Sequence, residues 1–377
     1  MILNRAYSIA LSWLIIFITS CNSIAKKNIK NRNSMHWGIT KISSETGANS
    51  FDYEFNQYFI QDSLTGYIIG DNSIAEMYRS IIEKRVLKRE NYEAILFKTE
   101  DGGVSFRKRS LGKGSLQKIT SDNEKNLYVI QCNYKTATLP KRYRIMYSRD
   151  LGETWQEMAF PQGKKIETVQ FYNGLKGVVA IEEDGMFKLL KTKDGGKTWE
   201  ELPVKETSLN YYSIQFIDEE ALYVYNSIGG FRQTATINFT TGNVKIHNPN
   251  LPKGYQFSSF IKDDSTGSLY SEVSNYKEGH DLMLYNHQTN ELISYNIENS
   301  SEQYIIDVTV SGEYIGLLRA DKGIVSYYYS RDKGENWIRE KMPERLSESY
   351  AAMYGKGLVW VKSAFNLYNL QVRKMDN

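Results

Sequence analysis

Arg232 and Arg319 are the side chains of this sequence best suited to grip an anionic group, and Glu182, Glu183, Asp184, Glu278 and Asp321 are the acids in comparable segments. Glycoside hydrolysis asks for such a set: cations on a substrate carboxylate, and two acids that exchange proton-donor and proton-acceptor roles. Asp71, Tyr78, Tyr134 and Tyr276 suit a different task, the recognition of a protein or glycan surface. Tyrosine offers a large contact area at low entropic cost. Metal chemistry has no basis here. His36, His247, His280 and His287 are scattered without ligand spacing, and "DNEKN" (122–126) and "DDSTGS" (263–268) lack the full calcium-loop pattern. No phosphate-cradling glycine loop and no Ser/His/Asp order is present, so no cofactor is expected.

The elements that must position these residues announce themselves by a repeated turn. "FKTEDGGVSFRK" (97–108), "YSRDLGETWQEM" (147–158), "KTKDGGKTWEEL" (191–202) and "YSRDKGENWIRE" (329–340) share the form Ser/Thr-x-Asp-x-Gly-x-x-aromatic. Its members are Thr99, Asp101, Gly103 and Phe106; Ser148, Asp150, Gly152 and Trp155; Thr192, Asp194, Gly196 and Trp199; and Ser330, Asp332, Gly334 and Trp337. Glycine supplies the positive φ of a tight reversal, and the aspartate accepts amide hydrogen bonds within it. The aromatic ring covers the base of the turn. Flanks such as "RYRIMYS" and "FKLLKT" alternate as strands do, so each copy is a β-hairpin. The aspartates are structural in this reading, not catalytic.

This motif resembles the Asp-box, or BNR repeat, of β-propeller proteins. The aspartates at 101, 150, 194 and 332 are 49, 44 and 138 residues apart, the last being three times 46. Degraded copies are therefore expected near 240, in "INFTTGNVKIHN", and near 286, in "YNHQTNELISYN". Units of this length are propeller blades. Seven innermost strands can be read: "NQYFIQ", "LQKIT", "IETVQF", "YYSIQFI", "FSSFIK", "IIDVTV" and "SYAAMYG". The last unit has only "GLVWVKS" and "FNLYNLQV" after it and lacks a fourth strand. "HWGITKI" (36–42) carries Trp37 where other fourth strands carry Trp155, Trp199 and Trp337. The expected fold is all-β: a seven-bladed propeller closed by its N-terminal strand, with six blades as the competitor.

In such a ring the loops between strands two and three share a face with the loops between blades, opposite the repeated hairpins. That face is expected to gather Asp71, Tyr78, Tyr134, Glu182, Asp184, Arg232, Tyr276, Glu278, Arg319 and Asp321. It also receives an insertion at 71–92, "DNSIAEMYRSIIEKRVLKRENY", where Ile74, Met77, Tyr78, Ile81 and Ile82 recur at helical spacing. A helix packed on the rim is expected there, or a partner-binding element.

Asp-box relatives divide into sialidase-like hydrolases and non-catalytic propellers of the sortilin and photosystem-assembly-factor types. Sialidases carry a Phe/Tyr-Arg-Ile-Pro segment; Tyr143-Arg144-Ile145-Met146 lacks the proline and runs straight into a hairpin. Arg149 and Arg331 lie within hairpins, on the wrong face. The resemblance therefore implies a non-catalytic protein that binds a protein or glycan partner, for assembly, scaffolding or ligand capture. A glycoside hydrolase acting on an anionic glycan is the alternative.

The remaining features concern location. "MILNR" followed by the 13-residue apolar run "AYSIALSWLIIFI" has secretory-signal form. Ile18-Thr19-Ser20-Cys21 resembles the bacterial lipobox, which implies cleavage before Cys21 and its lipidation. Residues 1–20 then form a lipoprotein signal peptide, 21–34 a flexible tether and 35–377 the propeller. The expected setting is the bacterial cell envelope, at the outer membrane, facing the periplasm or the surface, with the membrane met through the anchor alone. Cys132, in "NLYVIQC", is left without a disulfide partner and reads as a buried small apolar residue. A net charge of +3 gives no case for a nucleic-acid partner, and a monomer is expected.

Overall fold

Seven antiparallel sheets follow one another around a ring in the computed structural model of the protein. The structure describes residues 29–32, 37–41, 53–134, 142–161, 163–183, 185–205, 208–226, 231–263, 265–275, 282–295, 297, 303–321, 324–340, 342, 349–363 and 369–374. Blade 1 comprises Glu54–Ile60, Gly66–Asp71, Glu93–Thr99 and Arg107–Lys113. Blade 2 comprises Ser115–Ser121, Leu127–Asn133, Arg142–Ser148 and Gln156–Glu157. Blade 3 runs from Lys165–Phe171 to Glu200–Leu202, blade 4 from Leu209–Phe216 to Val244–His247, and blade 5 from Gln256–Lys262 to Glu291–Tyr295. Blade 6 spans Gln303–Ser311 to Trp337–Glu340.

Burial explains the strand order within a blade. Second strands such as Gly66–Asp71 are buried at every position, because each lies between two neighbouring sheets. Fourth strands such as Arg107–Lys113 alternate between exposed and half-buried, since only one neighbour remains. First strands carry a register shift in blades 1 to 6. Such bulges bend a strand and re-aim its side chains.

Blade 7 unites the two ends of the chain. Trp37–Lys41 pairs antiparallel with Asn369–Arg373, which continues into Leu358–Ser363 and Ser349–Tyr354. The expected closure is thus present, with seven blades rather than six. Ile29–Arg32 lies within the segment expected to be a flexible tether. Instead it pairs parallel with Trp337–Glu340, Ile29 opposite Trp337 and Arg32 opposite Glu340. Backbone pairing needs an open sheet edge, not apolar periodicity, and blade 6 offers that edge. Trp337 directly follows the repeated hairpin, so the chain enters blade 6 from the hairpin face.

The four hairpins share one hydrogen-bond net. In the second, Ser148 Oγ donates to Asp150 Oδ1 at 2.7 Å and accepts from the Gly152 amide at 2.8 Å. Asp150 also accepts from the Thr154 amide at 2.8 Å and its hydroxyl at 2.6 Å. The same net recurs around Asp101, Asp194 and Asp332, closed by Ser105, Thr198 and Asn336. That closing position was not singled out in the sequence, although it carries a hydroxyl or amide in every copy. Each hairpin also locks onto the preceding blade. A Cβ on Gly196 would come within 2.3 Å of Met158, and one on Gly103 within 2.7 Å of Trp360. Trp360 belongs to blade 7, is fully buried, and fills the space that Phe106 leaves beneath the first hairpin. In blades 4 and 5 the expected degraded turns are present. There Asn238 and Asn286 stand at the end of the third strand, where the four hairpins carry Ser or Thr, and accept the amides two and three residues on.

The insertion contains one α-helix, α1 (Ser73–Ile82), followed by a short 3-10 turn at Arg89–Asn91. Ala75 is buried and Ile74 half-buried, but the larger apolar residues of the helix mostly do not pack on the rim. Ser73, Ala75, Glu76 and Ser80 face inward, whereas Met77, Tyr78, Ile81 and Ile82 are exposed. The polar side is held by specific partners: Ser73 donates to Glu54, and Arg79 and Arg85 both reach Glu76 at 2.9 Å. Among the described residues no helix is long and apolar enough to cross a membrane.

Candidate functional site

The face opposite the hairpins is built from the upper ends of second strands and the segments that follow them. At the top of blade 1, Asp71 is buried and accepts the Ser73 amide at 2.8 Å, which starts α1. Asn72 Oδ1 accepts the Glu93 amide at 2.7 Å and ties the far end of the insertion back to the blade. Tyr134, from the top of blade 2, meets Tyr92 edge-to-face at 5.2 Å, and Arg89 lies over the Tyr134 ring at 5.7 Å. Burial first, then the Asp71 carboxylate, pushes the Tyr134 phenol up to about 12. Asp71 and Tyr134 are thus brought together, whereas Tyr78 lies exposed on α1.

The other candidates are dispersed. Glu182 forms an ion pair with Lys165 at 2.8 Å on blade 3, and this contact holds its carboxyl below the usual range. Arg232 donates to the Leu251 carbonyl at 2.7 Å. Arg319 corrects the expectation that it lines the ligand face. It is 2% exposed, its guanidinium lies 4.6 Å from the Tyr328 ring centre, and it is a packing residue within blade 6. Asp321 ends the second strand of that blade and is half-buried. Asp184, Tyr276 and Glu278 lie outside the described residues. No group of three or more metal-ligating side chains exists among the described residues.

Sequence reasoning missed the polar groups of the innermost strands, which ring the central channel. Asn56 and Gln57 of blade 1 hydrogen-bond to Leu116 and Ile119 of blade 2, and Lys118 donates to Thr168 of blade 3 at 2.7 Å. Burial lowers Lys118 to about 8. In blade 5, Ser258 of the innermost strand donates at 2.8 Å to Glu272 of the second strand, whose carboxyl burial raises. Asp307 accepts the Val308 amide at 2.9 Å; burial, together with the Glu272 charge, pushes it up to about 7. A charged residue inside an otherwise apolar inner strand, as in "LQKIT" and "IIDVTV", was the available signal. These two carboxyls, both raised by burial, are the chemically poised groups of this region. His287 is not one of them: it is buried, bonded to Ser271 at 2.8 Å, and pushed down to about 3 by burial.

No protein-family profile matches the chain, and no curated protein matches it. Solved structures do. YCF48 bound to D1 peptide aligns over 94% of this chain and 100% of its own, with a TM-score of 0.57 and 13% identity. The β-propeller domain of the Trilobed protease from Pyrococcus furiosus aligns over 87% and 97%, with a TM-score of 0.53 and 9% identity. The GH74 enzyme of Niastella koreensis covers 83% of this chain and 52% of its own, at a TM-score of 0.49 and 13% identity. At these identities the likeness shows the fold, and the chain is a seven-bladed β-propeller.

Proposed function

We propose that the protein is a non-catalytic lipoprotein of the bacterial cell envelope whose upper face binds a protein partner. The four hairpins are read as Asp-boxes that brace the ring. Cys21 is read as the lipidated residue that follows a signal peptide, and the propeller as a monomer. One observation carries the binding reading: Tyr134, backed edge-to-face by the buried Tyr92, and Arg89 over its ring form an aromatic-cationic platform at the end of the insertion, on the face away from the hairpins. Aromatic residues and arginine are the side chains that anchor protein interfaces. The fold likeness to YCF48, a propeller with a bound peptide, supports the same reading. A glycan partner would use the same platform.

Hydrolysis of an anionic glycan is the second reading, favoured by the raised carboxyls of Glu272 and Asp307 in blades 5 and 6. The burial of Arg319 and the commitment of Arg232 to Leu251 weigh against a carboxylate grip. Full-length protein offered fluorogenic sialosides and a panel of complex glycans separates the two. No turnover, with saturable peptide binding lost in Tyr134→Ala and Arg89→Ala, is the expected result. Saturable hydrolysis lost in Asp307→Asn or Arg232→Ala would overturn it.

A further inference from the structure

α1 is inverted relative to an ordinary surface helix. Its polar side faces the propeller and is satisfied, with Glu76 buried under Arg79 and Arg85. Burial raises the Glu76 carboxyl and the two guanidiniums more than offset this, so it is held below its usual range. The outward side carries Met77, Tyr78, Ile81 and Ile82, continued past the helix end by Val86. Ile81, Ile82 and Val86 are 64%, 78% and 80% exposed. Scattered exposed apolar residues are ordinary, but a contiguous ridge at i, i+1, i+4 and i+5 is the form in which helices dock on partners.

Two observations select the occupant. The first is charge. Residues 76–90 contain five cations, Arg79, Lys84, Arg85, Lys88 and Arg89, against three carboxylates, Glu76, Glu83 and Glu90. Arg79 and Arg85 are engaged by Glu76 and Glu83, so Lys84, Lys88 and Arg89 supply the positive charge beside the ridge, against Glu90. The second is direction. Ile29–Arg32 enters blade 6 from the hairpin face, whereas α1 joins strands two and three of blade 1 and therefore lies on the opposite face. On the lipid-anchor reading above, the eight steps from Cys21 to Ile29 reach at most about 29 Å. The anchored chain therefore arrives on the face opposite α1.

We propose that α1 is the docking ridge for an acidic, amphipathic protein segment, whose apolar side chains cover Met77, Ile81, Ile82 and Val86 while its carboxylates meet the surrounding lysines and arginines. This rests on the protein-binding reading and names the partner class of that face. A bilayer is the competing occupant, since an apolar ridge with basic flanks also suits anionic lipid.

The test is selection of phage-displayed random 12-residue peptides on full-length protein held in phosphatidylcholine nanodiscs. Enriched peptides should combine apolar residues with Asp or Glu. Their affinity should fall at least ten-fold in Ile81→Ser/Ile82→Ser, with an unmoved melting curve, and their salt dependence should flatten in Lys84→Glu/Lys88→Glu. Enriched peptides that bind the double-serine protein equally well would overturn the role of α1 and leave the platform reading standing. Enrichment of nothing would overturn both. Co-sedimentation with phosphatidylglycerol vesicles, lost in the double-serine protein, would overturn the protein segment in favour of a lipid surface.

Discussion

Arg373, four residues before the last, donates through Nε and a terminal nitrogen to both oxygens of Glu340, at 2.9 and 3.0 Å. Both side chains are essentially inaccessible to solvent. Trp37, near the other end of the chain, donates its indole N–H to the same carboxylate at 3.0 Å. The seam of the ring is therefore pinned by one buried acid that three strands share. Removing one partner of a buried pair leaves the other charge uncompensated. Glu340→Ala should cost about 3–5 kcal/mol, read as a shift of the denaturant midpoint. A midpoint equal to that of the parent would show that the seam does not hold the ring.

The hairpin aromatics should differ in value. Trp337 is fully buried, and truncation to alanine should cost about 3–5 kcal/mol. Trp199 is half-buried, packs on Phe160 at 5.3 Å and bonds to the Ala159 carbonyl, so Trp199→Ala should cost less, about 2–3 kcal/mol. Equal melting temperatures for the two variants would contradict this ordering.

Hairpin aspartates set the acid limb of stability. The Thr154 hydroxyl and amide hold Asp150 at about 2, and the Thr198 hydroxyl and amide hold Asp194 at about 2. A depressed carboxylate stabilises the folded state at pH values above its unfolded pKa, near 3.8, and loses that contribution as pH falls through the folded value. Melting temperature should therefore hold down to about pH 4 and fall between about 4 and 2. Asp150→Asn should blunt that fall; an unchanged acid limb would remove the hairpins as its cause.

The channel acid has the opposite sign. Asp307 is raised to about 7, so the folded protein retains a proton that the unfolded chain releases near pH 4. Its contribution declines as pH rises from about 4 to 7 and is level above that. Asp307→Asn should gain stability over the parent at pH 8 and little at pH 4. A constant difference at both values would refute the raised carboxyl.

The location proposal is tested separately. Cys21→Ser should move the protein from the membrane fraction to the soluble fraction. Retention in the membrane would refute lipidation at that residue.

The hairpins, the period of about 46 residues and the closing strand were legible in the chain, because each depends on residues close together in sequence. A Ser/Thr-x-Asp-x-Gly turn makes its hydrogen bonds within five residues, and strand alternation is a two-residue rule. The tertiary structure decided what lies inside. Ile81 faces solvent while Glu76 is buried, because Arg79 and Arg85 satisfy the acid. Arg319 is buried because Tyr328, across the same sheet, offers it a ring face. Trp360 completes the first hairpin from more than 250 residues away, donating to the Gly102 carbonyl. Burial and charge environment are made by residues distant in the chain, and no local pattern encodes them.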